Sequence, residues 1–377
     1  MTTVHWCGTG LSSVPGLRRL IQDGHSVTVW NRTVEKARKA VGDLIDDIRV
    51  FDPAALAEAV QPGDVVVSML PGDWHVQLAR IAIDHKAHFV SSSYIAPEMR
   101  ALDAAAKLAG VALVNEVGLD PGIDHLMAHH LVADYRKSAA YSAENVISFK
   151  SYCGGVPKVA NAFRYKFSWA PVGVLKALRS PSKSIRHFTE LDVKRPWDAI
   201  TRYDAPLPQP EAFEVYPNRD SLPFMADYRF EPTWKVKEFV RGTLRLNGWA
   251  DAWEDIFAEV GTASDERLTE MAAELLEKNA YAPDEPDRVV LCVDLLAEKD
   301  GRAVWHKTCV MDAWGDARGT AMARLVSVPV SLAIEAVLNR EIPAGVSPAP
   351  HDPKLVERWL DEVQTLAQHL MVVDHLN

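Results

Sequence analysis

The sequence predicts an α/β protein: a doubly wound parallel sheet, then an antiparallel α+β domain carrying a small helical insert. Three observations carry that expectation. Short β-type runs alternate with helix-type segments through the first third of the chain, and a glycine-rich turn closes the first strand. Beyond His125 the alternation gives way to aromatic clusters, proline-rich turns and longer β-type runs.

The strands expected first are Val4–Cys7, Val27–Trp30, Ile48–Phe51, Val65–Met69, Phe89–Ser91 and Val111–Val114. Between them Pro15–Gln22, Val34–Val41, Pro53–Val60, Val76–Ile83 and Pro97–Leu108 read as helices. Gly24 and Gly110 sit where helices end, since glycine enters the left-handed conformation without steric cost.

The first turn reads Gly8-Thr9-Gly10-Leu11-Ser12-Ser13, with Pro15 just inside the next helix. Glycines there let the backbone approach a pyrophosphate, and the helix N-terminus offers free N–H groups and a positive dipole end. An ordinary tight turn is the plainer reading of G-x-G alone; its place in six alternating units favours a Rossmann-type dinucleotide fold. The second strand ends in Trp30-Asn31-Arg32-Thr33 with no acidic residue to hold ribose hydroxyls. Arg32 suits a 2′-phosphate, with Asn31 and Thr33 as further donors, so NADP is expected and NAD is the alternative. Leu70-Pro71-Gly72 and Ser92-Ser93-Tyr94 follow later strands, at the end of the sheet where ligands collect.

The 377 residues leave room for two or three domains; 48% are hydrophobic and 24% charged, ordinary for a water-soluble enzyme. A net charge of −10 argues against nucleic acid or an anionic membrane as main partner. Cys7, Cys153, Cys292 and Cys309 show neither disulfide nor metal spacing, so no metal is expected and a reducing cytoplasm is the natural setting. No basic segment precedes an apolar signal run at Met1-Thr2-Thr3, and the apolar stretch Leu325–Leu338 holds Pro329 and Glu335.

The stretch Val114 to His125 crowds Glu116, Gly118, Leu119, Asp120, Pro121, Gly122 and Asp124 into one turn after the sixth strand. Helix capping by Asp120 or Asp124 is the plain reading. Its position at a strand end instead puts Asp120 near the nicotinamide end of a bound dinucleotide. Farther on, Ile147–Tyr152 and Arg241–Leu246 read as strands, and Val289–Ala297 with Ala303–Met311 as a β-pair joined through Glu298-Lys299-Asp300-Gly301. Ala252–Asn279 is helical and charged, and Thr320–Leu338 and Pro353–Leu370 read as amphipathic helices.

Taken together, Ser92-Ser93-Tyr94, Glu116 to His125, Ser151 to Gly155, Tyr165 to Trp169, Tyr216 to Ser221, Arg241 to Arg245 and Gly319 to Arg324 resemble the saccharopine dehydrogenase (L-glutamate-forming) family. Lys158-Val159-Ala160 and the segment from Ser182 to Pro210 depart from its pattern. The resemblance implies a homodimer of three parts. These are an NADP-binding domain with C-terminal helices (1–125 and 318–377), a substrate and dimerisation domain (126–250 and 286–317), and the insert (251–285). It implies that Ser93, Tyr94, Asp120, Cys153, Arg219, Thr243, Leu244 and Arg245 contact the substrate. It also implies that Gly8, Gly10, Leu11, Ser12, Ser13, Asn31, Arg32, Thr33, Leu70, Pro71, Leu119, Asp120, Pro121, Ser168 and Trp169 line the cofactor.

Saccharopine is a secondary amine bearing three carboxylates, so its site needs cationic forks; Arg219 and Arg245 are the expected ones, Arg241 and Lys166 lesser candidates. Asp120 and Tyr94 suit proton transfer. Cys153 is either an acid–base group, a small polar contact or an inert buried thiol. His125 is a base or a packing residue, and Trp169 a nicotinamide wall or core. A related enzyme acting on carboxynorspermidine and a non-catalytic NADP sensor are the competing readings.

Overall fold

The computed structural model describes residues 2–376, which form two compact units. The first takes the chain up to Leu126 together with Ala323–Trp359; the second takes Met127–Met322 and the chain from Leu360 onward.

The first unit begins β1 (Thr3–Cys7), β2 (Ser26–Asn31), β3 (Ile48–Val50), β4 (Val65–Ser68), β5 (His88–Ser91) and β6 (Ala112–Val114). All six lie within a residue of their expected limits. The helix expected over Pro97–Leu108 is two pieces, Pro97–Arg100 and Asp103–Ala109. The second piece opens at Asp103, whose carboxylate accepts the Val346 N–H at 2.9 Å.

The second unit holds β7 (Val146–Pro157), β8 (Ser182–Arg186), β9 (Thr189–Val193), β10 (Thr201–Ala205), β11 (Glu211–Pro217), β12 (Lys235–Leu246), β13 (Asp287–Lys299) and β14 (Arg302–Trp314). The chain then returns to the first sheet for β15 (Gly345–Ser347) and ends in the second with β16 (His369–Asp374).

The first sheet runs β3-β2-β1-β4-β5-β6-β15, every pair parallel. Val65, Val66 and Val67 are fully buried, as a strand covered on both faces requires. The order reverses between β1 and β4, where Met69 N–H reaches the Cys7 carbonyl at 2.9 Å. Sequence reading passed over β15, because three residues are too few to show a period.

The second sheet follows β10-β11-β12-β7-β13-β14-β16, with β8 on β12 and β9 on β8. It was expected to be antiparallel, but β7 and β12 are parallel. The long excursion from Pro157 to Lys235, carrying four strands of its own, supplies the crossover that parallel neighbours need. The β13–β14 hairpin turns through Asp300 (φ 51°) and Gly301 (φ 75°), the pair of left-handed residues a two-residue turn demands. The sheet curls: Tyr152 of β7 and Tyr203 of β10, with two strands between them, bring their rings to 5.0 Å.

Two expected boundaries shift. The C-terminal segment was assigned whole to the first unit, but the chain from Leu360 joins the second. The helix Pro353–Leu366 stops short of Leu370, and the apolar run Leu370-Met371-Val372-Val373 pairs with β14 instead. Residues 251–285 are not a separate body either. Trp249, Trp253, Phe257, Leu268 and Met271 share one core with Tyr165, Phe167 and Tyr216 inside the second unit.

The helix Ala321–Leu338 is long and apolar enough to cross a membrane, yet 83% of it is buried inside the protein. It is a core helix here.

Candidate active site

The glycine turn forms as expected, and its two glycines are required for different reasons. Gly8 has φ 106°, and a Cβ there would meet the Met69 carbonyl oxygen at 2.9 Å and Leu70 Cδ2 at 3.1 Å. Gly10 would meet nothing within 4 Å. The protein itself therefore leaves space over Gly10, as the close approach of a phosphate requires. Thr9 is buried with its Oγ1 unpartnered, while its N–H donates to Asn31 Oδ1 at 3.1 Å. Asn31 in turn donates to the Thr33 carbonyl at 2.7 Å, locking the end of β2 against the turn. Ser13 spends its hydroxyl on the Gly10 carbonyl (3.2 Å), so no side-chain cap covers the start of the helix Val14–Gln22. Leu11 is exposed beside it and Ser12 is half-buried.

Arg32 stands exposed at the tip of β2, with no hydrogen bond or ion pair among the described residues. Leu70 lies half-buried after β4, against Gly8, and Pro71 is exposed. Residues, space and charge at this end of the sheet fit an NADP. Gly16 was not anticipated. A Cβ on it would meet the Ser327 carbonyl oxygen at 1.9 Å, and its N–H donates to Ser327 Oγ at 2.8 Å. It supplies the close packing that Ser13, at the third position of the fingerprint, does not.

The turn after β6 is tied on every side. Asp120–Pro121 is cis, Gly122 (φ 145°) sits where any Cβ would overlap the Gly118 carbonyl, and Gly118 N–H donates to the Pro121 carbonyl at 2.9 Å. Leu119 is buried beneath it. Asp124 is fully buried in the first turn of the helix Ile123–Lys137 and accepts the Gly122 N–H at 2.7 Å, tying the corner to the helix start. Asp120 does something else: its Oδ1 accepts the Tyr94 hydroxyl at 2.8 Å, joining the two residues expected to move protons. His125 is buried with its Nε2 3.0 Å from Glu116 Oε2, and Glu116 Oε1 accepts the Ile95 N–H at 2.9 Å. That makes His125 a brace for the turn, not an exposed base.

Ser93 is held by a residue that sequence reasoning missed. His75 bridges Ser68 Oγ (2.7 Å, from Nδ1) and Ser93 Oγ (2.7 Å, from Nε2). Burial lowers its pKa to about 4, so the imidazole is neutral and donates one proton while accepting another. Only contact in space reveals this, since seven residues separate His75 from Ser68 and eighteen from Ser93.

In the second unit, register decides which side chains meet. Tyr216, Thr243 and Cys153 are direct partners across β11, β12 and β7, so they form one row on one face. Arg245 follows Thr243 on that same face. It is 5% exposed, its Nη1 donates to the Leu244 carbonyl at 3.1 Å, and Tyr165, Trp249 and Tyr216 surround its guanidinium at 4.9, 5.5 and 5.7 Å. Arg245 has no carboxylate partner among the described residues. Glu214 opposes it across the strands, but the Glu214 carboxylate is taken by the Gly248 and Ala250 N–H groups, each at 2.7 Å. Burial of Tyr216 raises its pKa, and the Arg245 charge draws it partly back.

Leu244 needs correction. Its side chain faces the opposite side of β12, fully buried with Tyr152, Phe213 and Val310, so only its backbone can serve the Arg245 face. Arg219 is exposed at a left-handed position (φ 56°) after β11 and lends its carbonyl to Lys183. Arg241 is 3% exposed, with its guanidinium 4.0 Å above Phe224, so it is no surface cation. Lys166 is spent on Glu285 at 2.6 Å. Cys153 is buried and outside any disulfide. Ser168 is buried with an unpartnered hydroxyl, and Trp169 packs on the aromatic core beside Gly173.

The first unit thus has the build of a dinucleotide-binding domain. Residues 4–114 match the model of the saccharopine dehydrogenase NADP binding domain, and residues 118–366 that of the saccharopine dehydrogenase C-terminal domain. The chain belongs to the saccharopine dehydrogenase family. It is 36% identical over 266 residues, 69% of its length, to the saccharopine dehydrogenase [NADP(+), L-glutamate-forming] of Pyricularia oryzae. It is 39% identical over 233 residues, 59% of its length, to the alpha-aminoadipic semialdehyde synthase of Arabidopsis thaliana. It spans 57% of the first relative and 21% of the second. The apo saccharopine dehydrogenase (L-Glu forming) structure from Saccharomyces cerevisiae superposes with TM-score 0.81 at 27% identity, over 99% of this chain and all of that one.

Proposed function

We propose that the chain is an NADP-dependent saccharopine dehydrogenase of the L-glutamate-forming type. One observation carries the reading beyond family membership: Arg245, a buried guanidinium with a ring of aromatic groups and no carboxylate of its own. Burying an uncompensated cation costs several kcal/mol, roughly what a bound anion restores, so the site is built for an acidic ligand. A substrate with three carboxylates meets that demand, and Arg219, exposed, serves a second carboxylate.

In this reading Gly8, Gly10, Arg32 and their neighbours would hold the dinucleotide, which would supply the hydride acceptor for the carbon next to the secondary amine. The amine proton goes to the Asp120–Tyr94 pair, which is already joined by a short hydrogen bond and can pass it outward. The resulting imine takes up water and its C–N bond breaks, releasing glutamate and 2-aminoadipate 6-semialdehyde; the reverse sequence makes saccharopine. Ser93, its hydroxyl fixed by neutral His75, and Thr243 and Cys153 on the Arg245 face orient the substrate. Ser168 and Trp169 serve the cofactor side.

Initial rates with saccharopine and NADP+ or NAD+, followed by nicotinamide absorbance, test the reading. Saccharopine-dependent formation of NADPH, faster than of NADH, is expected. Tight NADP binding with no turnover of saccharopine sinks it. The same reading has the chain working as a homodimer in a reducing cytoplasm, which four buried, unbridged thiols suit. Sedimentation of the purified protein measures the first of these directly.

A further inference from the structure

The second sheet carries another cluster on the face opposite Arg245. There β13 and β14 place Asp294 directly across from Thr308, and His306 lies on the diagonal one step along β14. The end of β16 brings in His375, whose N–H donates to the His306 carbonyl at 3.0 Å. The side chains converge on one carboxylate oxygen. His306 Nε2 is 2.8 Å from Asp294 Oδ2, Thr308 Oγ1 donates to that same oxygen at 2.6 Å, and His375 Nε2 lies 2.8 Å from Thr308 Oγ1. The two imidazoles stack in parallel, 4.0 Å apart and 20° from coplanar.

A donor atom from each of Asp294, His306 and His375 lies within 4.8 Å of the other two. They open on a cavity of about 200 Å³ lined also by Ser148, Lys150 and Tyr203. Other charges around it are already matched: Lys150 pairs with Glu238 at 3.0 Å and Asp204 with Arg202 at 2.8 Å.

We propose that Asp294, His306 and His375 bind a divalent transition metal of the imidazole-preferring class, with Zn2+ the fitting ion. Two nitrogens and one carboxylate oxygen form a three-donor set that leaves a coordination position for water, and small rotations of the two rings bring the donors to bonding distance. Thr308 steadies the carboxylate from behind, as the outer partners of metal ligands do. The donors come from β13, β14 and the residue just after β16, so no spacing along the chain announces them. A bound ion ties the end of β16, an edge strand with Met371 and Val372 exposed, to β13 and β14.

The test uses untagged, metal-stripped full-length protein titrated with Zn2+ against a chromogenic chelator, with Mg2+ as control. One Zn2+ per chain is expected, with His375→Ala and His306→Ala each weakening it by roughly tenfold or more and Thr308→Val by about tenfold. Co2+ should give four- or five-coordinate absorption without a thiolate charge-transfer band. His375 is exposed near the chain end, so its variant keeps the fold and the result stays readable. The absence of Zn2+ binding in the wild type, unchanged affinity in His375→Ala, or a thiolate band with Co2+ overturns the proposal.

Discussion

The two sheets solve opposite problems. In the first, every strand is parallel, both faces are covered, and the chemistry sits in loops at one end. In the second, strands of up to thirteen residues curl into a trough, and the chemistry stands on the faces themselves. A loop site is set by backbone shape, which glycine and proline control. A face site is set by register, where one residue of slip exchanges Arg245 for Leu244. The contrast can be broken or sharpened by substitution.

The largest effect is expected at Arg245. Replacement by leucine removes the buried cation, and kcat/KM for saccharopine should fall on the order of a thousandfold, about 4 kcal/mol, with NADP affinity kept. Steady-state kinetics and dinucleotide titration together check this; unchanged KM and kcat would remove Arg245 from the site. Next comes Gly16→Leu, which drives a side chain into the Ser327 backbone and should cost about 3 kcal/mol of stability in urea unfolding.

His75 gives an effect that depends on pH. Its folded pKa of about 4 lies below its ordinary value of 6.5, so the unfolded chain binds the proton more readily. Its contribution is complete above pH 6.5 and is lost, at roughly 1.4 kcal/mol per pH unit, as the pH falls towards 4. Urea midpoints at pH 7 and pH 5 should therefore differ more in the wild type than in His75→Asn, and equal differences would discount the Ser68–His75–Ser93 bridge. The smallest change is at exposed Arg32. Arg32→Ala should weaken NADP by roughly tenfold, about 1.4 kcal/mol, and leave NAD unaltered. An equal loss for both dinucleotides would take Arg32 off the 2′-phosphate.

Legibility follows the same contrast. The six strands of the nucleotide fold were readable to within a residue, because each βα step repeats one local pattern and glycine and proline mark its ends. The Gly8–Ser13 turn and the Asp120–Pro121–Gly122 corner were readable for the same reason. In the second unit the long strands were found only in part. The parallel pairing of β7 with β12 and the capture of the last strand by β14 depend on partners far along the chain. Arg245 was visible as a residue type, but its burial without a counter-ion was not. The His75 bridge and the Gly16 contact lie beyond local pattern altogether.

Gly10 gives the first sheet an unusual lever. Most glycines in a tight fold cannot be altered without harming the architecture, so loss of activity and loss of structure arrive together. At Gly10 only the visitor objects to a methyl group, since no atom of the host stands nearby. An alanine placed there should yield a molecule that folds and melts like its parent while refusing its dinucleotide, an inert twin against which every catalytic measurement can be set.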